Sequence, residues 1–253
     1  MRALFVALAF ATCGLAPAAA QPSAAAAYRQ GAFLQAAAIG EAGAEAGDLS
    51  LAARALLAEA VTGRDADVDA LVLRAEANAR GALSAAPHSI DARINLALAL
   101  GIKGRRASVA DIVRHGYARE GRALLAEAVA RAPEQAMAHA LIGGWNLEIV
   151  RRGGRAGAAY YGASRRAGVA AFERARALAP DDAAIAYQYA VALLELDAER
   201  YAQKASALLA DARGCTSHDA FEARMKAQAA QVAAVLAVQG GEAAARMATA
   251  RVG

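Results

Sequence analysis

The sequence predicts an all-α protein, and three features of its composition carry that prediction. Of the 253 residues 58% are hydrophobic, only 5% are aromatic, and alanine is the commonest residue. Alanine is the best helix former and a poor strand former, and the five prolines leave long uninterrupted segments. The charged fraction of 21% argues against disorder. Together these features exclude a collagen period, a disulfide scaffold and an extended β protein.

Residues 1–20 have the features of a secretory signal peptide. Arg2 gives a basic start, residues 3–15 form an apolar run too short to span a bilayer, and residues 18–20 are small. We expect cleavage after Ala20, a periplasmic location and no transmembrane segment in the mature chain. The alternatives are a retained anchor, a buried N-terminal helix, or lipoprotein processing at Cys13, whose preceding residues fit a lipobox badly.

The sequence predicts no metal site, no cofactor and no catalytic residue. Removal of the leader leaves Cys215 as a single thiol, which cannot form an internal disulfide. Cys215 and His218 supply two ligands where a zinc site needs more, so we interpret them as part of a loop before a helix. The glycine-rich segment 153–157 lacks the Gly-Lys-Ser/Thr ending of a phosphate-binding loop.

Three prolines each close a similar predicted helix, and they recur at a fixed spacing. Pro87, Pro133 and Pro180 lie 46 and 47 residues apart. A small residue, an apolar residue and an alanine precede the third proline at Gly168, Phe172 and Ala175. The same order occurs at Gly121, Leu125 and Ala128 before the second proline, and at Ala75, Ala79 and Ala82 before the first. Proline stops the helix because it lacks an N–H and clashes with the preceding turn.

This pattern resembles the second helix of a tetratricopeptide repeat, and the apolar segments after each proline resemble its first helix. The chain is also similar to exported repeat proteins of alphaproteobacterial type. The resemblance implies a right-handed superhelical α-solenoid of helical hairpins over residues 21–239. It further implies a capping helix at 214–239 and a C-terminal tail at 240–253.

The spacing departs from the standard repeat of about 34 residues. The additional residues fall at 101–117 and 151–168, between the first and second helix of a unit. We expect both insertions to emerge on one edge, because corresponding loops of stacked repeats share a face. The helix expected between Asp67 and Ala86 has no obvious partner. Either Leu49–Val61 pairs with it, or the N-terminal helix stands alone as a cap.

Positive charge is concentrated in and next to the two insertions. Residues 101–122 carry six bases against two acids, and residues 151–166 carry five bases and no acid. Gathered on one edge, these bases would attract an anionic partner. The alternative is that arginines at helix ends cap free carbonyls and complement the helix dipole. The candidate residues of this basic edge are Arg105, Arg106, Arg151, Arg152 and Arg155.

Further candidates lie on the first helices and in the second insertion. Asn95 could hydrogen-bond a ligand's backbone, although it could equally be a satisfied polar group of the fold. Trp145 could be a binding or a core residue, and Tyr187 lies on the next first helix. Tyr160 and Tyr161 lie among the bases of the second insertion, an arrangement common in binding hot spots.

These observations favour a non-catalytic protein-protein interaction scaffold of the cell envelope. We expect a protein or peptide partner, held by the concave groove and the basic edge. An acidic peptide, a carboxylate terminus or anionic headgroups at the envelope surface would suit that edge, and the export signal disfavours nucleic acid. The alternatives are a structural subunit of an envelope assembly and an enzyme acting on anionic envelope material.

Overall fold

The computed structural model describes residues 23–43, 45–63 and 67–250, and these form thirteen α-helices with no strand among them. The predicted all-α class is confirmed. The predicted signal peptide, its cleavage site and Cys13 lie outside the described residues, as do residues 251–253. The helices are α1 (Ala24–Arg29), α2 (Phe33–Gly43), α3 (Ala46–Thr62), α4 (Val68–Ala85), α5 (Ile90–Arg106), α6 (Val109–His115), α7 (Tyr117–Arg131), α8 (Ala136–Tyr161), α9 (Arg165–Leu178), α10 (Ala183–Leu196), α11 (Ala198–Gly214), α12 (Ala220–Gln239) and α13 (Gly241–Thr249).

The three regularly spaced prolines follow helix ends with nearly the same backbone. The alanines before them have φ of −133°, −136° and −137° and ψ of 81°, 76° and 75°. Each of these alanines donates its N–H to the carbonyl four residues earlier. The next helix begins three residues after each proline, at Ile90, Ala136 and Ala183. The three junctions are therefore copies of one local structure.

Each of the two insertions contains a short additional helix. In the first it is α6, and in the second it is the end of α8, which bends at Gly154, where φ is 54° and ψ is −150°. Gly116 and Gly162 end these short helices with φ of 71° and 67°. Glycine adopts this left-handed conformation without a Cβ clash, so it allows the chain to turn into the following outer helix.

Small residues bring α8 and α9 close together. A Cβ built on Gly143 of α8 would lie 2.5 Å from the ring of Phe172 on α9. A Cβ on Gly168 would lie 2.6 Å from Leu147 in the opposite direction across the same pair. Phe172 is buried and stacks on Tyr189 of α10, with ring centroids 4.6 Å apart. These contacts form the centre of the larger core cluster.

The two ends of the described chain meet. Arg224 of α12 donates to the carbonyl of Gly31 at 3.0 Å, to the hydroxyl of Thr62 at 3.1 Å and to Glu59 at 3.3 Å. Gln228 donates to the carbonyl of Val61 at 3.1 Å. Since neighbouring helices contact one another along the chain, these bonds close a circuit of helices from α1 to α12.

The structure shows how the helices at the two ends of the predicted repeat array pack. The helix α4 packs on α3, which includes residues 49–61, so these two form a pair. At the other end, α12 occupies most of the segment assigned to the capping helix. Part of the segment assigned to the C-terminal tail is α13, which packs on α10 and α12 with Ala244 completely buried. Across the described ranges, no helix combines the length and apolarity needed to cross a membrane.

Candidate functional site

A cavity of about 770 Å³ lies inside the circuit of helices. Its walls are one face each of α5, α8 and α10, here called the inner helices, together with parts of α6, α7, α12 and α13. Small-molecule sites in proteins occupy about 300–1,000 Å³ and are mostly apolar with a few polar groups. The cavity has the size and the composition of such a site.

The repeat explains why successive inner helices line one space. Leu141 and Glu148 of α8 line the cavity, and so do Gln188 and Glu195 of α10, each 47 residues further along the chain. Within each helix the two residues are seven apart, which places them on the same face, two turns from each other. Equivalent positions of the repeat therefore point into the cavity.

Glycines widen the cavity. A Cβ built on Gly101 would meet nothing within 4 Å, and one on Gly144 would meet its nearest neighbour only at 3.9 Å. Both residues lie within helices and line the cavity. A glycine inside a helix costs about 0.5–1 kcal/mol relative to alanine. Unlike Gly143, whose Cβ would strike Phe172, these two glycines serve no close helix contact, so their effect is to leave space.

Four charged side chains form a network on the cavity wall, which we call the charged cluster: Arg105, Glu148, Arg151 and Glu195. The Nη2 of Arg105 donates to Glu148 at 3.3 Å and also to Glu195. Arg151 donates to both oxygens of Glu148, at 2.9 and 2.7 Å. The network joins the C-terminal ends of α5 and α10 to the middle of α8.

The two carboxyl groups of the charged cluster differ in their affinity for protons. Burial, together with the charge of Glu148, raises the pKa of Glu195 above the ordinary glutamate value despite the opposing charge of Arg105. Burial also disfavours ionisation of Glu148, but the hydrogen bond from Arg151 and the charge of Arg105 outweigh it and lower the pKa. Glu148 is thus held as a carboxylate, and Glu195 is the group that protonates first.

Two other arginines of the basic edge, Arg152 and Arg106, support the structure of α5. Arg152 donates to three carbonyls at the C-terminal end of that helix, at 2.6, 3.2 and 2.8 Å. Those carbonyls lack partners within the helix, so Arg152 caps them in the way proposed as the alternative to ligand binding. Arg106 pairs with Asp69 of α4, with its Nε 2.7 Å from a carboxylate oxygen.

An aromatic cluster lies where the end of α8 returns towards α7. The indole N–H of Trp145 donates to the carbonyl of Ala118 at 2.8 Å. The rings of Trp145 and Tyr161 are perpendicular, with their centroids 6.2 Å apart. Tyr160 packs edge-on against Tyr161 and accepts a hydrogen bond from Arg119 at 2.8 Å. All three aromatic residues line the cavity.

Four exposed apolar side chains also line the cavity, and we call them the apolar rim. Their exposed fractions are 58% for Val109, 56% for Val113, 63% for Tyr160 and 38% for Met247. The two valines belong to α6, in which no residue is buried. Exposed apolar side chains that line one cavity are typical of binding sites.

The cavity brings together seven of the ten residues predicted from the sequence as a site: Arg105, Trp145, Arg151, Arg152, Tyr160, Tyr161 and Tyr187. Asn95 lies elsewhere, buried, and its amide donates to the carbonyl and hydroxyl of Ser50 at 2.9 and 3.2 Å. Arg106 pairs with Asp69 away from the cavity. Arg155 is exposed and makes no ion pair with another described residue.

Sequence reasoning missed Glu148 and Glu195, Gly101 and the apolar face of α6. One signal could have found the glutamates, since each is an acid inside an apolar helix and they are 47 residues apart. Gly101 carries no such signal, because a helical glycine serves close packing or open space equally well.

The remaining titratable groups form no comparable site. Within the described ranges, no three His, Cys, Asp or Glu side chains are grouped so that they could hold a metal ion. Cys215 is buried, burial raises the pKa of its thiol, and its sulfur donates to the carbonyl of Asp211 at 3.3 Å. His218 bonds Glu222 at 3.0 Å at the start of α12.

No protein-family model matches this sequence, and no curated protein matches it significantly.

Proposed function

We propose that this chain is a non-catalytic binding protein that holds its ligand in the cavity between the inner helices. The observation that carries the proposal is the cavity itself, with apolar walls, an apolar rim and one charged cluster. The glycines that widen it support the same conclusion, because their open surroundings favour neither the helices nor their packing. The arginines and glutamates of the charged cluster pair with one another, an arrangement suited to holding a polar group.

We further infer a tetratricopeptide-type arrangement with a right-handed superhelix and a periplasmic location. The three equivalent proline junctions and the close approach at Gly143 and Gly168 support the repeat type. The leader predicted at residues 1–20 supports the location.

The way the chain ends meet favours an enclosed occupant. An open solenoid offers a groove along which an extended peptide can lie. Here Arg224 and Gln228 tie α12 to α3 and to the turn that follows α1, so the inner face is bounded on the side where such a groove would continue. We therefore favour a small ligand, or a short apolar end of a protein partner, that inserts into the cavity.

Binding of a neutral apolar dye tests the proposal independently of any polar group. Nile red fluoresces in apolar surroundings, and we expect the folded protein to bind one molecule. Gly101→Leu should reduce its affinity at least tenfold, because the added side chain occupies the cavity. Gly47→Leu is the matched control, since Gly47 is also a helical glycine with open surroundings but lies outside the cavity. Equal binding by both variants would exclude the cavity as the site.

A further inference from the structure

The cavity is divided into an apolar part and a charged end. Along α10, Val191 and Ala192 line the apolar part, and Glu195 follows one turn later at the end of the helix. Along α5, Leu98 and Gly101 line the apolar part, and Arg105 follows at the end. A purely apolar ligand would leave the charged end without a partner. A compact polar ligand would leave the apolar walls without a partner. The cavity therefore suits a molecule with an apolar chain and a polar head group.

The charged end has an excess of positive charge. Arg105, Arg151 and Arg152 line it against two carboxyl groups. A guanidinium carries five N–H donors, and Arg105 uses only those on Nη2, so its Nε and Nη1 bond no other described residue. Arg151 likewise bonds through Nε and Nη2 alone. Donors remain free for an anionic head, whereas both carboxyl groups already have arginine partners.

The charged cluster also limits how much negative charge the head group of the ligand can carry. Three arginines against two carboxyl groups leave one net positive charge, which a singly charged carboxylate would neutralise, whereas a doubly charged phosphate monoester would leave an excess negative charge in a partly buried site. The planar guanidinium also matches a carboxylate in a bidentate geometry. These features favour one negative charge spread over two oxygens.

Resting on the proposed binding function, we propose that the cavity binds a single-chain carboxylate, with its chain between the inner helices and its carboxylate at Arg105 and Arg151. The apolar rim gives the chain its first contacts from solvent. The bases in residues 101–122 and 151–166, Arg119 and Arg155 among them, add long-range attraction for the anionic head.

Displacement of bound Nile red by amphiphiles that share a twelve-carbon chain tests the assignment. The probes are dodecanoate, dodecanol, dodecyltrimethylammonium and dodecyl phosphate, each below its micelle concentration. We expect dodecanoate to displace the dye at a concentration at least tenfold lower than any of the others. Equal or better displacement by the alcohol, the ammonium or the phosphate would overturn the assignment, and so would bound dye that no probe displaces.

Single substitutions then show which residue binds the carboxylate of the ligand. Arg105→Gln should remove the preference for dodecanoate over dodecanol, each displacement being corrected for that variant's own Nile red affinity. Arg105→Lys should restore part of the preference, and Arg166→Gln, outside the cavity, should change neither measurement. A preference retained in Arg105→Gln would place the carboxylate elsewhere. If that variant does not fold, the head-group series on the unmodified protein still decides the proposal. Failure of Nile red itself to bind would instead refute the proposed function.

Discussion

Glu148 and Glu195 each lie fifteen residues after one of the regularly spaced prolines, and both accept a hydrogen bond from the same nitrogen of Arg105. They are 47 residues apart in the sequence, which is the spacing of Pro133 and Pro180. The same position after two successive prolines has thus placed two acids side by side. Arg105, from the helix that follows Pro87, holds them together. Because the side chain of Glu195 is only 9% exposed, the pair is well shielded from solvent.

The two glutamates should respond differently to neutralisation at pH 7. Glu148→Gln removes a carboxylate that Arg105 and Arg151 stabilise, and we expect a loss of about 2–3 kcal/mol in the free energy of unfolding. Glu195→Gln removes a carboxylate that burial and Glu148 disfavour, so it should cost less than Glu148→Gln. Urea unfolding of both variants beside the unmodified protein measures the difference. A larger loss for Glu195→Gln would contradict the assignment of pKa directions.

The same two groups give opposite contributions to the pH dependence of stability. The pKa of Glu148 is lowered on folding, so its contribution is present above the ordinary value of 4.5 and is lost as the pH falls through the folded value. The pKa of Glu195 is raised on folding, so its contribution is present below 4.5 and is lost as the pH rises through the folded value.

Neutral variants isolate these contributions. From pH 4.5 upwards, Glu195→Gln should lose less stability than the unmodified protein until Glu195 is fully ionised. Below pH 4.5, Glu148→Gln should lose less stability than the unmodified protein as acid is added. Urea titrations from pH 3 to pH 8 test both statements. Curves that stay parallel throughout would show that neither group titrates differently in the folded state.

Asn95 should prove important for the fold and unimportant for the cavity. Its buried amide donates to the carbonyl and hydroxyl of Ser50, and it does not line the cavity. Asn95→Leu should lower the free energy of unfolding by about 1–3 kcal/mol, since the polar groups of α3 lose a buried partner. Nile red affinity, measured on the folded fraction, should stay within twofold. A tenfold loss of affinity at unchanged stability would assign Asn95 to the site instead.

The sequence predicted what repetition and helix chemistry determine. Pro87, Pro133 and Pro180 mark three helix ends because proline cannot continue a helix, and their even spacing implies like surroundings. The arginine pairs at the end of α5 and within α8 were recognisable as equivalent because they recur 46 residues apart. Each of these features depends on residues close together in the chain.

What the sequence did not predict depends on distant contacts. The bonds of Arg224 to Gly31 and Glu59 link residues more than 160 positions apart, and nothing local marks them as partners. Without that closure, the inner face looks like an open groove and not a cavity. The partners of Arg105 were also hidden, because the sequence shows that an arginine is present but not which acid it will meet.

The contact between α12 and the N-terminal helices should govern how firmly α1 is held. Arg224→Gln removes the hydrogen bonds to Gly31 and Thr62 and the ion pair with Glu59. Because Arg224 is partly solvent-exposed, we expect only about 1 kcal/mol of global destabilisation. Hydrogen exchange should nevertheless accelerate in α1 and at the end of α3. Arg200→Gln, which changes an exposed arginine of α11, is the control, and acceleration spread evenly over all helices would contradict a local role.

The helix α6 should become protected when the cavity is filled. None of its residues is buried, and Val109 and Val113 line the cavity with largely exposed apolar side chains. An apolar ligand would cover these side chains, and each would gain about 25 cal/mol for every Å² of apolar surface removed from water. Hydrogen exchange of residues 109–115 should therefore slow at least severalfold on addition of Nile red.

Substitution at the apolar rim separates binding from folding. Val113→Ser should weaken Nile red binding severalfold and leave the free energy of unfolding within about 0.5 kcal/mol, because an exposed side chain contributes little to stability. Val238→Ser is the matched control, since Val238 is even more exposed but lies on α12 away from the cavity. If both variants bind the dye as the unmodified protein does, α6 takes no part in holding the ligand, and the cavity must open on another side.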